Sequence, residues 1–253
     1  MSIARPTCTV TILVKALPRP SKSYGETVCC AGVTEKREWK RLYPVRFRQL
    51  GETAAFRRWD RVEFRHGRPK HDTRPESCHV HEESIQVVGR PMPERSRSSF
   101  LMPLIRKSAL DAMKQGASLA LIEPKNTRFY WKEKTAAQIE AERDAYRHAA
   151  RQTTMFDKQL ADLDPSPYEF AFRFEDGDGR HHYRCGDWEV HAMFWNGSRR
   201  QSIEETLRWM DGTFNDIYPR AGMIFALGNV AKRPQVWQLL GVIKLKLDQG
   251  DLF

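Results

Sequence analysis

Thirteen basic residues fall between Lys36 and Arg74: Lys36, Arg37, Lys40, Arg41, Arg46, Arg48, Arg57, Arg58, Arg61, Arg65, Arg68, Lys70 and Arg74. Five acids oppose them, Glu38, Glu52, Asp60, Glu63 and Asp72, and Trp39, Tyr43, Phe47, Phe56 and Trp59 are interleaved. Cationic side chains neutralise phosphates and release counterions, while flat side chains stack on unpaired bases at about 1–3 kcal/mol each. Arginine outnumbers lysine here, and its planar fork matches phosphate or carboxylate better than a point charge does. The pattern points to Lys36, Arg37, Trp39, Lys40, Arg41, Tyr43, Arg46, Phe47, Arg48, Arg57, Arg58, Trp59 and Arg61 as a nucleic-acid-binding set. The competing interpretation is structural: the aromatics fill a small core and the arginines solvate its outer face.

Two smaller groups could carry other chemistry. Cys78 and His81 lie close together with His79 between them and His66 and His71 upstream. Imidazole and thiolate suit zinc, but a tetrahedral site needs four ligands, and no C-x-x-C or H-x-x-x-H half is present. A structural role is favoured, and Cys78 and His81 are the first ligands if a metal binds. Around residue 187, a strand would place His181, Cys185, Asp187, Glu189 and His191 on one face. Two carboxylates two residues apart near a histidine can hold magnesium or manganese for phosphodiester hydrolysis, which makes His182, Asp187 and Glu189 the catalytic candidates of a nuclease. The Glu-x-Lys continuation of such sites is missing, since Val190 and His191 follow Glu189. Cys185 fits a buried inert thiol better than a nucleophile. Gly177-Asp178-Gly179 is flanked by acids, and no Walker or dinucleotide pattern occurs, so no cofactor is required outside the nuclease reading.

The chain has 253 residues, with 42 Lys+Arg and 32 Asp+Glu giving a net charge of +10. Residues 1–100 hold 20 of the basic and 11 of the acidic residues, so +9 of that charge sits in the first part. A one-sided basic module marks contact with phosphates or an acidic surface. Five cysteines, an odd number, argue for reduced thiols. No apolar run reaches the roughly 18 residues that span a bilayer, and Met1 to Val10 lacks the order of a signal peptide. A cytoplasmic location with no membrane contact is expected.

These groups need elements to position them. Thr9–Ala16, Glu26–Val33, Trp39–Arg46, Arg61–Arg65 and Ile85–Val88 are short β-prone runs broken by turns, as in a small barrel of the SH3-like or OB-like kind. Residues 91–102, rich in Pro, Arg and Ser, read as a linker between a basic β-rich domain over 1–90 and an α+β domain over 103–253. In the second part, Pro103–Gln115 shows helical spacing, and Ser118–Ile122 and Arg128–Trp131 look like strands. Ile139, Tyr146, Thr153 and Leu160 recur every seven residues, predicting a long helix over 135–163 that could bridge the parts or meet another protein or a copy of itself. Tyr168, Phe170, Phe172 and Phe174 alternate on a strand, Asp176 to Gly179 make a turn, and His182–Trp195 returns as one or two strands. Ser202 and Glu205 form a capping box before Ile203, Leu207, Met210 and Phe214 at helical spacing. Met223–Leu227 and Trp237–Leu247 finish as strands. The fold class is α+β: a small N-terminal β-barrel-like domain, then a mixed sheet with helices on one face and one long helix.

Asp187-Trp188-Glu189 after a histidine-bearing hairpin, Phe225-Ala-Leu-Gly-Asn229, and Trp237-Gln-Leu-Leu-Gly-Val-Ile243 together resemble a set of uncharacterised bacterial proteins. The resemblance covers the last third of the chain. It implies a bacterial or mobile-element origin and no mechanism.

Three functions follow in order. The first is a nucleic-acid-binding protein, an accessory factor in nucleic-acid transactions or in defence against foreign DNA. The second is a metal-dependent nuclease using His182, Asp187 and Glu189. The third is a scaffold subunit that docks through the long helix.

Overall fold

The computed structural model describes residues 6–21, 25–51, 54–150 and 164–245. It divides into two compact units, Met1–Pro91 with Glu133–Tyr168, and Met92–Lys132 with Glu169–Phe253.

The first unit is built on a closed barrel. Its strands are β1 (Thr7–Lys15), β4 (Cys30–Val33), β5 (Trp39–Tyr43), β6 (Arg61–Gly67) and β7 (Ser77–Val80); a hairpin of β2 (Arg19–Ser21) and β3 (Gly25–Thr27) interrupts the first connection, and β8 (Gln86–Val87) adds to the β6 edge. The ring runs β1-β4-β5-β7-β6 and closes through β1–β6. All its pairings are antiparallel except β5 with β7. Tyr43 and Gly67 both pair with His79 on one side of the ring. The other way round, Trp39, Val33, Thr11 and Arg61 lie level, and Thr7 pairs with Arg65. Four residues along β5, four along β1 and two along β6 separate the two routes, so the ring closes with a stagger of ten residues, which makes the strands tilt around a filled interior.

The alternation of β1 explains the filling. Val10 and Ile12 point inward to Cys30, Leu42, Val62, Phe64 and Phe56, each such side chain contributing about 1.5–3 kcal/mol by burial. A bulge between Ile12 and Val14 then turns the strand, and Leu13 and Val14 are both fully buried. Gly32 lets β4 approach β1, because a Cβ there would sit 2.6 Å from the Thr11 carbonyl oxygen.

The second unit begins with α1 (Glu94–Leu101), β9 (Ile105–Arg106), α2 (Ala109–Lys114), β10 (Leu119–Ile122) and β11 (Lys125–Glu133). The chain then returns to the first unit as α3 (Ala136–Ala150), which packs on the β2–β3 hairpin with the Tyr146 hydroxyl donating to the Pro18 carbonyl at 3.0 Å. The remainder of the expected 135–163 helix, with Thr153, Leu160 and Leu163, lies outside the described residues. Back in the second unit come β12 (Tyr168–Asp176), β13 (Gly179–Arg184), α4 (Trp188–Ser198), α5 (Ile203–Gly212), β14 (Met223–Val230) and β15 (Arg233–Lys244). There are two sheets where one was expected, β15-β14-β10-β9 and β11-β12-β13. Phe129, Phe172, Phe214 and Phe225 pack ring to ring at 5.0–5.8 Å centroid distances.

Three local expectations are corrected, and one strand had no counterpart among them. Residues 94–101, read as linker, are helical and bury Leu101. The helix expected over Pro103–Gln115 shrinks to α2, which starts only after Ser108, whose hydroxyl accepts from the Asp111 amide. Strand β7 went unread because histidines alternate with its inward Cys78 and Val80. His182–Trp195 is not strand throughout: β13 stops at Arg184 and α4 begins at Trp188, capped by Asp187.

Candidate nucleic-acid interface

Along the chain the barrel strands β1, β4, β5, β6 and β7 are first to fifth, and the predicted basic set is spread over β5, the start of β6 and the connections between strands. The turn between β4 and β5 is held by the Arg37 amide donating to the Thr34 carbonyl at 2.9 Å and the Glu38 amide donating to the Thr34 hydroxyl at 3.1 Å. Arg37 has φ of 62°, a left-handed conformation that a β-carbon makes costly, and Lys36 and Arg37 project from this turn into solvent.

The connection from β6 to β7, residues 68–76, is fixed from below. Asp72 accepts from the Arg74 guanidinium at 2.7 and 2.9 Å, from the Arg74 amide at 3.1 Å and from the Ser77 hydroxyl at 2.7 Å. Burial alone would raise the Asp72 carboxyl, but these bonds outweigh it and bring it down to about 2. The ordered loop carries exposed Arg68, Lys70 and His71. Lys36, Arg37, Arg68 and Lys70 have no acidic partner among the described residues, whereas the Arg57 amide donates to the Asp60 carboxylate at 2.6 Å.

Other members of the predicted set are committed. Arg46 binds Glu82 through its amide and through Nε at 2.7 Å, Arg61 pairs with Glu35 at 2.6 Å, and Lys40 with Glu38 at 3.3 Å. The exposed pairs are worth about 0–1 kcal/mol and open readily to a competing phosphate; Arg46, held twice, does not. Arg41 is 3% exposed and donates to Cys29 Sγ at 3.7 Å, and Ala31 and Val33 on the neighbouring strand are buried, so the middle of the outer face of β4 and β5 is closed to solvent. Arg58 is half-buried, and the Arg48 side chain lies outside the described residues. Trp59 is buried, and Phe47 packs edge-on against Phe56 with the Lys15 ammonium 5.0 Å from its ring. That leaves Tyr43, 38% exposed, with Trp39 and Phe47 half-buried, as the aromatics of the set that reach the surface.

The metal and catalytic groups come apart. Cys78 points into the barrel core, where burial pushes its thiol up to about 11 against the pull of Lys40. His81 lies three residues on, at the opposite parity, against the His79 ring. Asp187 is fully buried: Oδ1 accepts from the Glu189 amide at 3.0 Å and Oδ2 from the Val242 amide at 2.7 Å. Glu189 is in the first turn of α4, and His182 is on β13, where it meets the Tyr130 hydroxyl. Cys185 is buried, and His191 donates through Nε2 to its carbonyl at 3.1 Å. Among the described residues, no group of three or more His, Cys, Asp or Glu is placed to hold a metal ion.

Two family models match the chain, each described as a domain of unknown function: DUF8758 over residues 6–103 and DUF8757 over residues 102–253. No curated protein matches it.

Proposed function

For a chain that belongs to the DUF8757 family, a domain of unknown function, we propose a nucleic-acid-binding role in which the N-terminal barrel holds phosphates through the 34–38 turn and the 68–76 loop. The observation that carries this reading is the ring itself. Its order of first, second, third, fifth and fourth strand, with third and fifth parallel, is that of the five-stranded Greek-key barrel that binds oligonucleotides and oligosaccharides. Such barrels use the outer face of the second and third strands and the connections from first to second and from fourth to fifth. Here Ala31, Val33 and Arg41 in the middle of that outer face are buried, and the first connection carries the hairpin on which α3 packs. The fourth-to-fifth connection remains, and it is the ordered loop with Arg68 and Lys70. The surplus of +9 in residues 1–100 supports a polyanionic ligand.

The nuclease reading loses its geometric premise, because Asp187 and Glu189 share no strand face with His182. The scaffold reading loses part of its own, because α3 over Ala136–Ala150 already packs on a hairpin of its own chain.

Fluorescence anisotropy of the full chain against single- and double-stranded DNA and RNA, at low and physiological salt, tests the proposal. Binding that falls with salt is expected, and the double substitution Arg68→Glu and Lys70→Glu should weaken it about tenfold or more and flatten its salt dependence. No binding to any of the four probes, or a double variant that binds like the parent, would sink the reading.

A further inference from the structure

The sheet β11-β12-β13 is covered on one face and open on the other. Phe129, Phe170, Phe172 and Phe174 take the covered face and are buried. Period two then puts Arg128, Tyr130, Lys132, Arg173, His182 and Arg184 on the opposite face, and all but half-buried Tyr130 are exposed.

We propose that this open face is a second binding surface, for single-stranded nucleic acid. Its charge is the first argument. Its two acids, Glu169 and Glu175, are each matched by an arginine, Arg184 at 2.9 Å and Arg180 at 2.9 Å. Arg128, Lys132 and Arg173 are left over, and none of them has an acidic partner among the described residues. The face therefore carries an excess of three positive charges with forked donors predominating, which suits phosphates.

The aromatic pair is the second argument and selects the ligand. The Tyr130 hydroxyl meets His182 Nε2 on a different strand of the sheet, their ring centroids lie 5.5 Å apart at 34°, and the Arg173 guanidinium sits 5.1 Å from the Tyr130 ring centroid. A phenol fixed by its hydroxyl on an open sheet, next to an imidazole and among cations, offers a platform to a splayed base. An acidic protein segment would use the charge and leave the rings idle, and a duplex keeps its bases stacked inside. The surface shares no residue with the barrel loops.

The test titrates labelled oligo(dT) and oligo(U) into the full chain, both as it stands and with Arg68→Gln and Lys70→Gln already in place, so that the barrel loop and the sheet face report separately. Replacing Arg128, Lys132 and Arg173 by Gln should lower the slope of log affinity against log salt by about 2 in either background. Tyr130→Leu should weaken binding about five- to hundredfold, whereas Tyr130→Phe, which keeps the ring and loses the hydroxyl, should retain most of it. Thermal melts establish that the variants fold. Unchanged affinity and slope in the triple variant overturn the proposal, as does a Tyr130→Leu chain that binds both oligonucleotides like the parent. A triple variant that loses affinity for polyglutamate and keeps it for the oligonucleotides assigns the face to an acidic protein and overturns it as well.

Discussion

Asp187 has both of its carboxylate oxygens in use, and that decides what the residue does. One oxygen caps α4 through the Glu189 amide, and the other anchors β15 through the Val242 amide, in a position with no solvent exposure. Asp187→Ala strands two donors at once. A lost cap costs about 1 kcal/mol, and a buried amide left without its acceptor about 1–3 kcal/mol. The variant should lose about 2–4 kcal/mol, read as a lower urea midpoint with an unchanged slope, and Asp187→Asn, which keeps one acceptor, should fall between. The alternative outcome is equally readable: an Asp187→Ala chain of parental stability that has lost a magnesium-dependent phosphodiesterase activity would return the residue to catalysis.

Helices α4 and α5 meet where one residue has no side chain. A Cβ at Gly197 would lie 2.5 Å from Thr206 Cγ2 and 3.0 Å from its hydroxyl, and the threonine cannot swing away cheaply because that hydroxyl donates to the Ser202 carbonyl at 2.9 Å. Gly197→Ala should therefore destabilise by about 1–3 kcal/mol through overpacking. Thr206→Ser, which deletes the clashing methyl, should recover much of that loss in the double variant; purely additive losses across the four chains of the cycle would contradict the packing account. The same two helices show what could be read in advance. Helix α5 was legible because Ser202 and Glu205 sit three apart and its capping box is local, and β12 was legible because its phenylalanines alternate. Helix α4 was not, since Trp188, Val190, Phe194 and Trp195 are β-prone and Asp187, its cap, looked like an acid in search of a metal. The cations were visible as composition. Which of them are spent was not, because Arg46 meets Glu82 and Arg61 meets Glu35 across separations of 36 and 26 residues. The open face of β11-β12-β13 was written in the same alternation as the phenylalanines, one residue out of step.

The chain as a whole is basic by +10, and a general surplus would attract any polyanion without a site. Placement separates the two explanations. Lys36, Arg37, Arg68 and Lys70 stand on the barrel's 34–38 turn and 68–76 loop; Lys114, Arg199, Arg200 and Lys232 are exposed at helix ends and a hairpin turn of the second unit, off both proposed surfaces. Replacing either quartet by glutamine leaves the chain at +6, so the long-range field falls by the same amount in both. If phosphates are held at the barrel loops, the first quartet removes four counterion-releasing contacts and should reduce the slope of log affinity against log salt by about 3, since each contact to a single strand contributes about 0.7. The second quartet should change the slope by less than about 1. Anisotropy titrations of both variants over a salt series give the comparison directly. Equal reductions would mean that the protein attracts nucleic acid by net charge alone, and the barrel loops would then have no claim to be a site.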